Sequence, residues 1–283
     1  MGKDTAISWT DHTFSPWWGC VEASQACTFC YARTWAKRMG HAVWGKQAPR
    51  RTFGDAHWRE PVRWSASAER EGKRRRVFCA SMADVFEDRR DLDPWRAKLW
   101  SLIEATPALD WLLLTKRPEN MPGMAPTRWH RGWPLNVWAG TTVENQEWAE
   151  RRIPHLRLVP AAIRFLSVEP LLGPLDLELE GISWAIVGGE SGSHLWDEPT
   201  REKRALVAQV GGRWVPREDR APWVRRIRDR CRESWVAFFL KQWGGPAPSS
   251  GGNLLDGREW HEWPPSAAPA PRDLPQAGIL NLP

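Results

Sequence analysis

The sequence predicts an α/β protein built on a partial or complete parallel β/α barrel, and three observations support that expectation. Short apolar runs recur along the chain, the stretches between them are long enough for a helix, and most runs end in a small polar cluster. Runs rich in Val, Ile, Leu, Phe and Trp suit parallel strands covered on both faces. Their alternation with helices argues for right-handed βαβ crossovers.

Taken in order, residues 6–9 (AISW) form the first expected strand, followed at once by a cysteine-bearing loop. The next strands are expected at 76–81 (RVFCAS), 110–115 (DWLLLT), 135–140 (LNVWAG), 163–168 (IRFLSV), 182–187 (ISWAIV) and 235–240 (WVAFFL). Helices are expected over 31–39, 94–105, 144–152 and 223–233; the second opens with Pro94 after Asp93, where proline's missing N–H costs nothing. Residues 40–76 and 191–222 read as insertions, the first Trp- and Arg-rich with helix around 67–72. The barrel domain is expected to span 1–246, with the cysteine loop at 19–31, and to be followed by a Pro/Gly-rich, poorly ordered tail over 247–283.

No apolar run approaches the ~20 residues that cross a bilayer, and the N-terminus shows no basic-then-apolar signal pattern. A cytoplasmic protein without a membrane partner is therefore expected. The net charge of +6 and pI near 9.3 invite a DNA or RNA partner. The chain also holds 40 Lys and Arg but only 8 Lys, with 22 Trp and a single Tyr, a bias that GC-rich coding produces without any binding role.

In a parallel β/α barrel the active site lies at the C-terminal strand ends. Those ends carry Ser81 and Asp84, then Lys116 and Arg117, Glu144, Ser167 and Glu169, a Gly188-Gly189-Glu190 turn, and Lys241 and Gln242. One such cluster is an ordinary loop; several in register predict a polar-lined cavity. Lys116, Arg117, Glu144, Lys241 and Gln242 are the expected substrate or carboxylate contacts. Cys20, Cys27 and Cys30 crowd into the loop after the first strand, whereas Cys79 and Cys231 read as small core residues. Three thiolates on one loop suit an iron–sulfur cube, whose fourth iron they would leave open. A zinc site completed by a fourth ligand such as His12 is the alternative.

The stretches ISWTDHTFSPWWGC, CTFCYA, VFCASMADVFED, DWLLLTKRPEN, TTVEN, FLSVEPLLGPL, VGGESG and FFLKQWGG, spread over residues 6–246, resemble the phage-type three-cysteine-motif family, which is considered radical-S-adenosylmethionine (SAM)-like and is distantly similar to spore photoproduct lyase type enzymes. The spacing here is Cys-x6-Cys-x2-Cys rather than the commoner Cys-x3-Cys-x2-Cys, and Phe29 fills the aromatic position before the last cysteine. The resemblance implies a [4Fe–4S] cluster on Cys20, Cys27 and Cys30, with SAM as second cofactor and an external electron donor. Ser81 and Asp84 would face the SAM amino group, and Ser167 and Glu169 its ribose. The expected activity is radical SAM chemistry on a nucleic-acid base. A zinc-stabilised, non-catalytic nucleic-acid-binding module and a radical SAM enzyme acting on a small molecule or peptide are the alternatives.

Overall fold

A computed structural model describes residues 5–274. Residues 1–4 and 275–283, the latter part of the expected tail, lie outside the described residues. Seven strands build one sheet: β1 (His12–Phe14), β2 (Arg75–Cys79), β3 (Leu109–Thr115), β4 (Val137–Thr142), β5 (Ile163–Val168), β6 (Trp184–Gly188) and β7 (Ala237–Gln242). They lie side by side in chain order and every neighbouring pair is parallel, so the sheet is a half-barrel open between β1 and β7. The main helices are α1 (Tyr31–Arg38), α2 (Glu60–Glu71), α3 (Asp93–Glu104), α4 (Gln146–Arg157) and α5 (Ala221–Glu233).

Alternation along the strands divides the apolar residues between two faces. Val77, Trp111, Leu113, Ala139, Val168, Val187 and Leu240 pack outward with Leu99, Ile103, Ile153 and Ile227 of the helices. Phe78, Leu112, Trp138, Phe165, Trp184, Ile186 and Phe239 point inward and fill the lower half of the barrel with rings. Each such ring contributes roughly 3 kcal/mol by leaving water. Gly140 is required by this filling, because a Cβ there would sit 2.2 Å from Cζ of Phe165.

The first expected strand is corrected by the structure. Residues 6–9 are not paired; Trp9 instead turns inward and spans the barrel's open side, 4.7 Å from the ring of Phe78 and 6.2 Å from that of Trp184. The true first strand, His-Thr-Phe, has no apolar run to betray it, although all three residues are buried. β4 and β7 end two residues later than expected, since Thr141, Thr142, Lys241 and Gln242 continue the strands with polar side chains. Helix α4 starts and ends later than expected, capped by Asn145, whose Oδ1 accepts from Trp148 N at 3.1 Å.

The connections depart further. No helix joins β5 to β6; residues 169–183 run as an extended segment burying Leu171, Leu175, Leu177, Leu179 and Ile182. The insertion over 191–222 contains a helix, Glu198–Arg204, and a hairpin pairing Val207–Val210 with Arg213–Pro216. Gly211 and Gly212 make its two-residue turn at φ +56° and +78°, the left-handed pair such a hairpin demands. The expected disordered tail is also corrected. Leu255 and Trp260 are buried, and Leu240 N donates to Trp260 O at 2.8 Å, so the described part of this segment covers the outer edge of β7.

Candidate functional site

The inward positions change character at the top of the barrel. Above the rings stand Lys116, Thr142, Ser167, Glu169 and Lys241, which line a cavity of about 470 Å3 together with Cys20, Cys27 and Cys30. Ser81, Asp84, Arg117, Glu190 and Gln242 share the same wall. A cavity is therefore present at the C-terminal strand ends as expected, but its lining is mixed: polar at the strand ends and largely apolar over the aromatic floor and under the cysteine loop.

That loop is held by two guanidinium groups, each fixed by a carboxylate from a strand end. Arg117 Nη2 donates to Val21 O at 2.8 Å while its Nη1 donates to Asp84 Oδ2 at 2.8 Å. Arg204 Nη2 donates to Gln25 O at 3.3 Å and pairs bidentately with Glu190, both contacts at 2.8 Å. Arg204 also lies 5.0 Å over the ring of Phe29, which leans on Trp196 at 4.8 Å. Gly19 precedes the loop at φ +116°, with its Cβ direction blocked by Val43 O at 2.3 Å, so no other residue fits there.

The electrostatics follow from burial. Cys20 is pushed up to about 12 by burial and then by Asp84, so its thiol keeps its proton at neutral pH in the absence of a metal and would release it on metal binding. Burial raises Glu190 as well, against the pull of Arg204 and Lys116. Burial works against the charge of Arg117, but Asp84 offsets it and holds the guanidinium above its usual range.

The structure brings most of the expected residues together and gives several of them different work. Asp84 does not face the cavity with a free oxygen. Oδ1 accepts from Thr115 Oγ1 at 2.6 Å and Phe86 N at 3.0 Å, and Oδ2 accepts from Arg117 and Lys116 N. It is a positioning residue for two loops. Glu144 is not a cavity residue at all: it is fully buried against Arg152, 2.8 Å away. His12 likewise stays out of the wall, stacking on Trp64 of α2 at 4.5 Å. Glu169 is divided between Lys241 Nζ at 2.9 Å and Ser167 Oγ at 3.5 Å, and Gly188 is small because a Cβ there would meet Glu169 Oε1 at 2.7 Å. Gln242 donates to Gly189 O at 3.1 Å and Ser191 Oγ at 3.3 Å, tying the ends of β6 and β7. Lys116 Nζ donates to Thr142 Oγ1 at 3.3 Å. Ser81 lines the cavity, and its carbonyl accepts from Tyr31 Oη at 3.0 Å.

Glu190 belongs to the strand-end set that the sequence marks out, but its part in bracing the cysteine loop needs Arg204, which lies inside an insertion and carries no such signal. Among the described residues, no three of His, Cys, Asp or Glu are drawn together closely enough to hold a single metal ion. What fits a soft metal cluster is the donor set itself, three free thiols on one cavity wall.

A family described as "Protein of unknown function (DUF5131)" matches residues 4–264. No curated protein matches. Among solved structures, a spore photoproduct lyase double mutant with bound AdoMet and dinucleoside spore photoproduct superposes with a TM-score of 0.52 and 13% identity, covering 87% of this chain and 78% of that one. A single mutant of the same lyase gives 0.53 and 14%, with the same coverage. At such identity the likeness concerns the fold: this half-barrel is the lyase's kind of partial barrel.

Proposed function

The chain belongs to the DUF5131 family, so its activity has to be read from its own site, and we propose that it is a radical SAM-like iron–sulfur enzyme acting on a nucleic-acid base. The observation that carries this reading is the convergence of Cys20, Cys27 and Cys30 with the polar strand ends on one cavity. The partial-barrel likeness to a lyase that binds AdoMet supports it. His12, the fourth ligand the zinc alternative would use, stacks on Trp64 and is not among the residues that line the cavity.

In this reading the three cysteines hold a [4Fe–4S] cluster and leave one iron without a protein ligand. When bound there, a reduced cluster with SAM would supply radical hydrogen-abstraction chemistry to a substrate in the cavity. The chain's own residues do the rest. Arg117 and Arg204 fix the cysteine loop through its carbonyls. Lys116 offers a cation to a carboxylate or phosphate, and Glu169, held by Lys241, offers an acceptor to hydroxyl groups. The ring floor keeps water from the lower barrel, which strengthens every polar contact above it. A base as substrate is supported by the basic charge and by the dinucleoside held in the lyase of like fold.

The test is metal analysis of protein purified without oxygen, followed by dithionite and SAM. About four irons and four sulfides per chain, with 5′-deoxyadenosine released, is the expected result. Zinc at about one per chain, with no iron after reconstitution, would refute the cofactor assignment. SAM cleavage without salt-sensitive binding of DNA or RNA would keep the chemistry and move the substrate to a small molecule or peptide.

A further inference from the structure

Helix α1 is amphipathic the wrong way round. Its buried residues are Ala32 and Ala36, which pack on Trp18, Val43 and Met82. Its large apolar side chains face solvent instead: Tyr31 is 60% exposed, Trp35 51%, and Met39, just past the helix, 54%. These stand at i, i+4 and i+8 and so form one stripe. Hydrophobic burial favours the opposite arrangement, so folding does not account for the stripe.

Charge singles out the same place. Residues 23–54 contain Arg33, Lys37, Arg38, Lys46, Arg50 and Arg51 and no Asp or Glu, an excess equal to the formal net charge of +6 for the whole chain. Arg50 is spent on buried Glu87 and Arg33 on Glu22, but Lys37, Arg38 and Lys46 are exposed. Lysine and arginine in the last turn also suit the helix dipole, which explains their sign but not the rings beside them. Tyr31, at the start of the stripe, lines the cavity mouth and donates to Ser81 O at 3.0 Å.

We propose that α1 is a docking rail for single-stranded nucleic acid, with bases stacking on Tyr31 and Trp35, a phosphate meeting Arg38 one turn on from Trp35, and the strand led toward the cavity. Alternating rings and cations are how sequence-tolerant single-strand surfaces work, because every base has a face to stack. The stripe is ~12 Å long, room for about three nucleotides at ~3.4 Å each. A duplex would hide the base faces that the rings require. The inference rests on the nucleic-acid reading above and adds to it where, and in what form, the polymer binds.

Fluorescence anisotropy of a short labelled oligothymidylate tests it, with the full chain purified without oxygen. Trp35→Ala is expected to weaken binding about tenfold, the worth of one lost base stack. Arg38→Ala is expected to flatten the salt dependence by about 0.7 in log–log slope, one single-strand phosphate's worth. Trp235→Ala is the control: that ring is 97% exposed but precedes β7, at the opposite end of the barrel from the cavity, and its removal is expected to change nothing. Wild-type binding that Trp35→Ala leaves intact would overturn the rail while leaving the base substrate standing. No binding of DNA or RNA by wild type would overturn both. Binding to phosphatidylserine vesicles in place of oligonucleotide, lost in Trp35→Ala, would make the stripe a membrane contact and overturn the rail as well.

Discussion

Cys27→Ala protein is expected to fold, to hold only background iron, and to release no 5′-deoxyadenosine from SAM. Cys27 closes a single turn, Gln25–Cys27, and is only partly buried. Its sulfur accepts one weak contact, from Ala23 N at 3.5 Å. Little packing is lost with the sulfur, so circular dichroism and the urea midpoint should stay close to wild type. The cluster, by contrast, would lose one of its three anchors. Cys79→Ala provides the opposite pattern. That thiol is fully buried in the outer core on β2, and its removal should cost about 1 kcal/mol and leave iron content unchanged. Full iron and full SAM cleavage in Cys27→Ala would end the assignment of this loop as a cluster site.

Asp84→Ala is expected to be the most destabilising single change at the site, by about 3–5 kcal/mol. The carboxylate is 8% exposed in its side chain and its partner Arg117 14%, so alanine leaves a guanidinium nearly dry and uncompensated. It also strips acceptors from Thr115 Oγ1, Phe86 N and Lys116 N. Arg117 would then no longer be braced against Val21 O, and the cysteine loop should release iron faster on exposure to air. Arg117→Ala separates the two effects, since it leaves Asp84 with its other donors while removing the brace. Urea denaturation reads the first effect and the decay of visible absorbance the second. An Asp84→Ala midpoint equal to wild type would show that the carboxylate does not organise these loops.

The parts of this fold that were legible in the sequence are those where burial on both faces leaves a continuous apolar run. DWLLLT over β3 and IRFLSV over β5 are of that kind. β1 was not legible because His12 and Thr13 are buried without being apolar, and their neighbour Trp9 mimicked a strand while serving as a ring in the floor. Strand ends misled for a physical reason: where a strand enters the cavity its side chains turn polar, and polar residues read as loop. That three cysteines crowd one loop was plain from their spacing; that this loop roofs the cavity at the strand ends came only with the fold. Glu144 and Glu190 look alike in sequence, each following a strand. Only the fold shows that Glu144 is buried against Arg152 whereas Glu190 lines the cavity and pairs with Arg204 behind it. Long-range pairs of this kind are set by how helices and insertions return over the sheet, and no local pattern encodes them.

An incompletely closed sheet has two edges, and each presents unpaired amides that can template a strand from another copy. Here neither is left as a template. On one side β1 is three residues long, too short to hold a recruited strand. On the other, Leu240 N is taken by Trp260 O and Phe238 O by Glu262 N, with Phe238 N closed by the Glu262 carboxylate at 3.0 Å. The Pro-rich stretch that follows the last strand thus acts as a guard against self-templating. It gives a half-barrel the protection that other barrels gain by joining their first strand to their last.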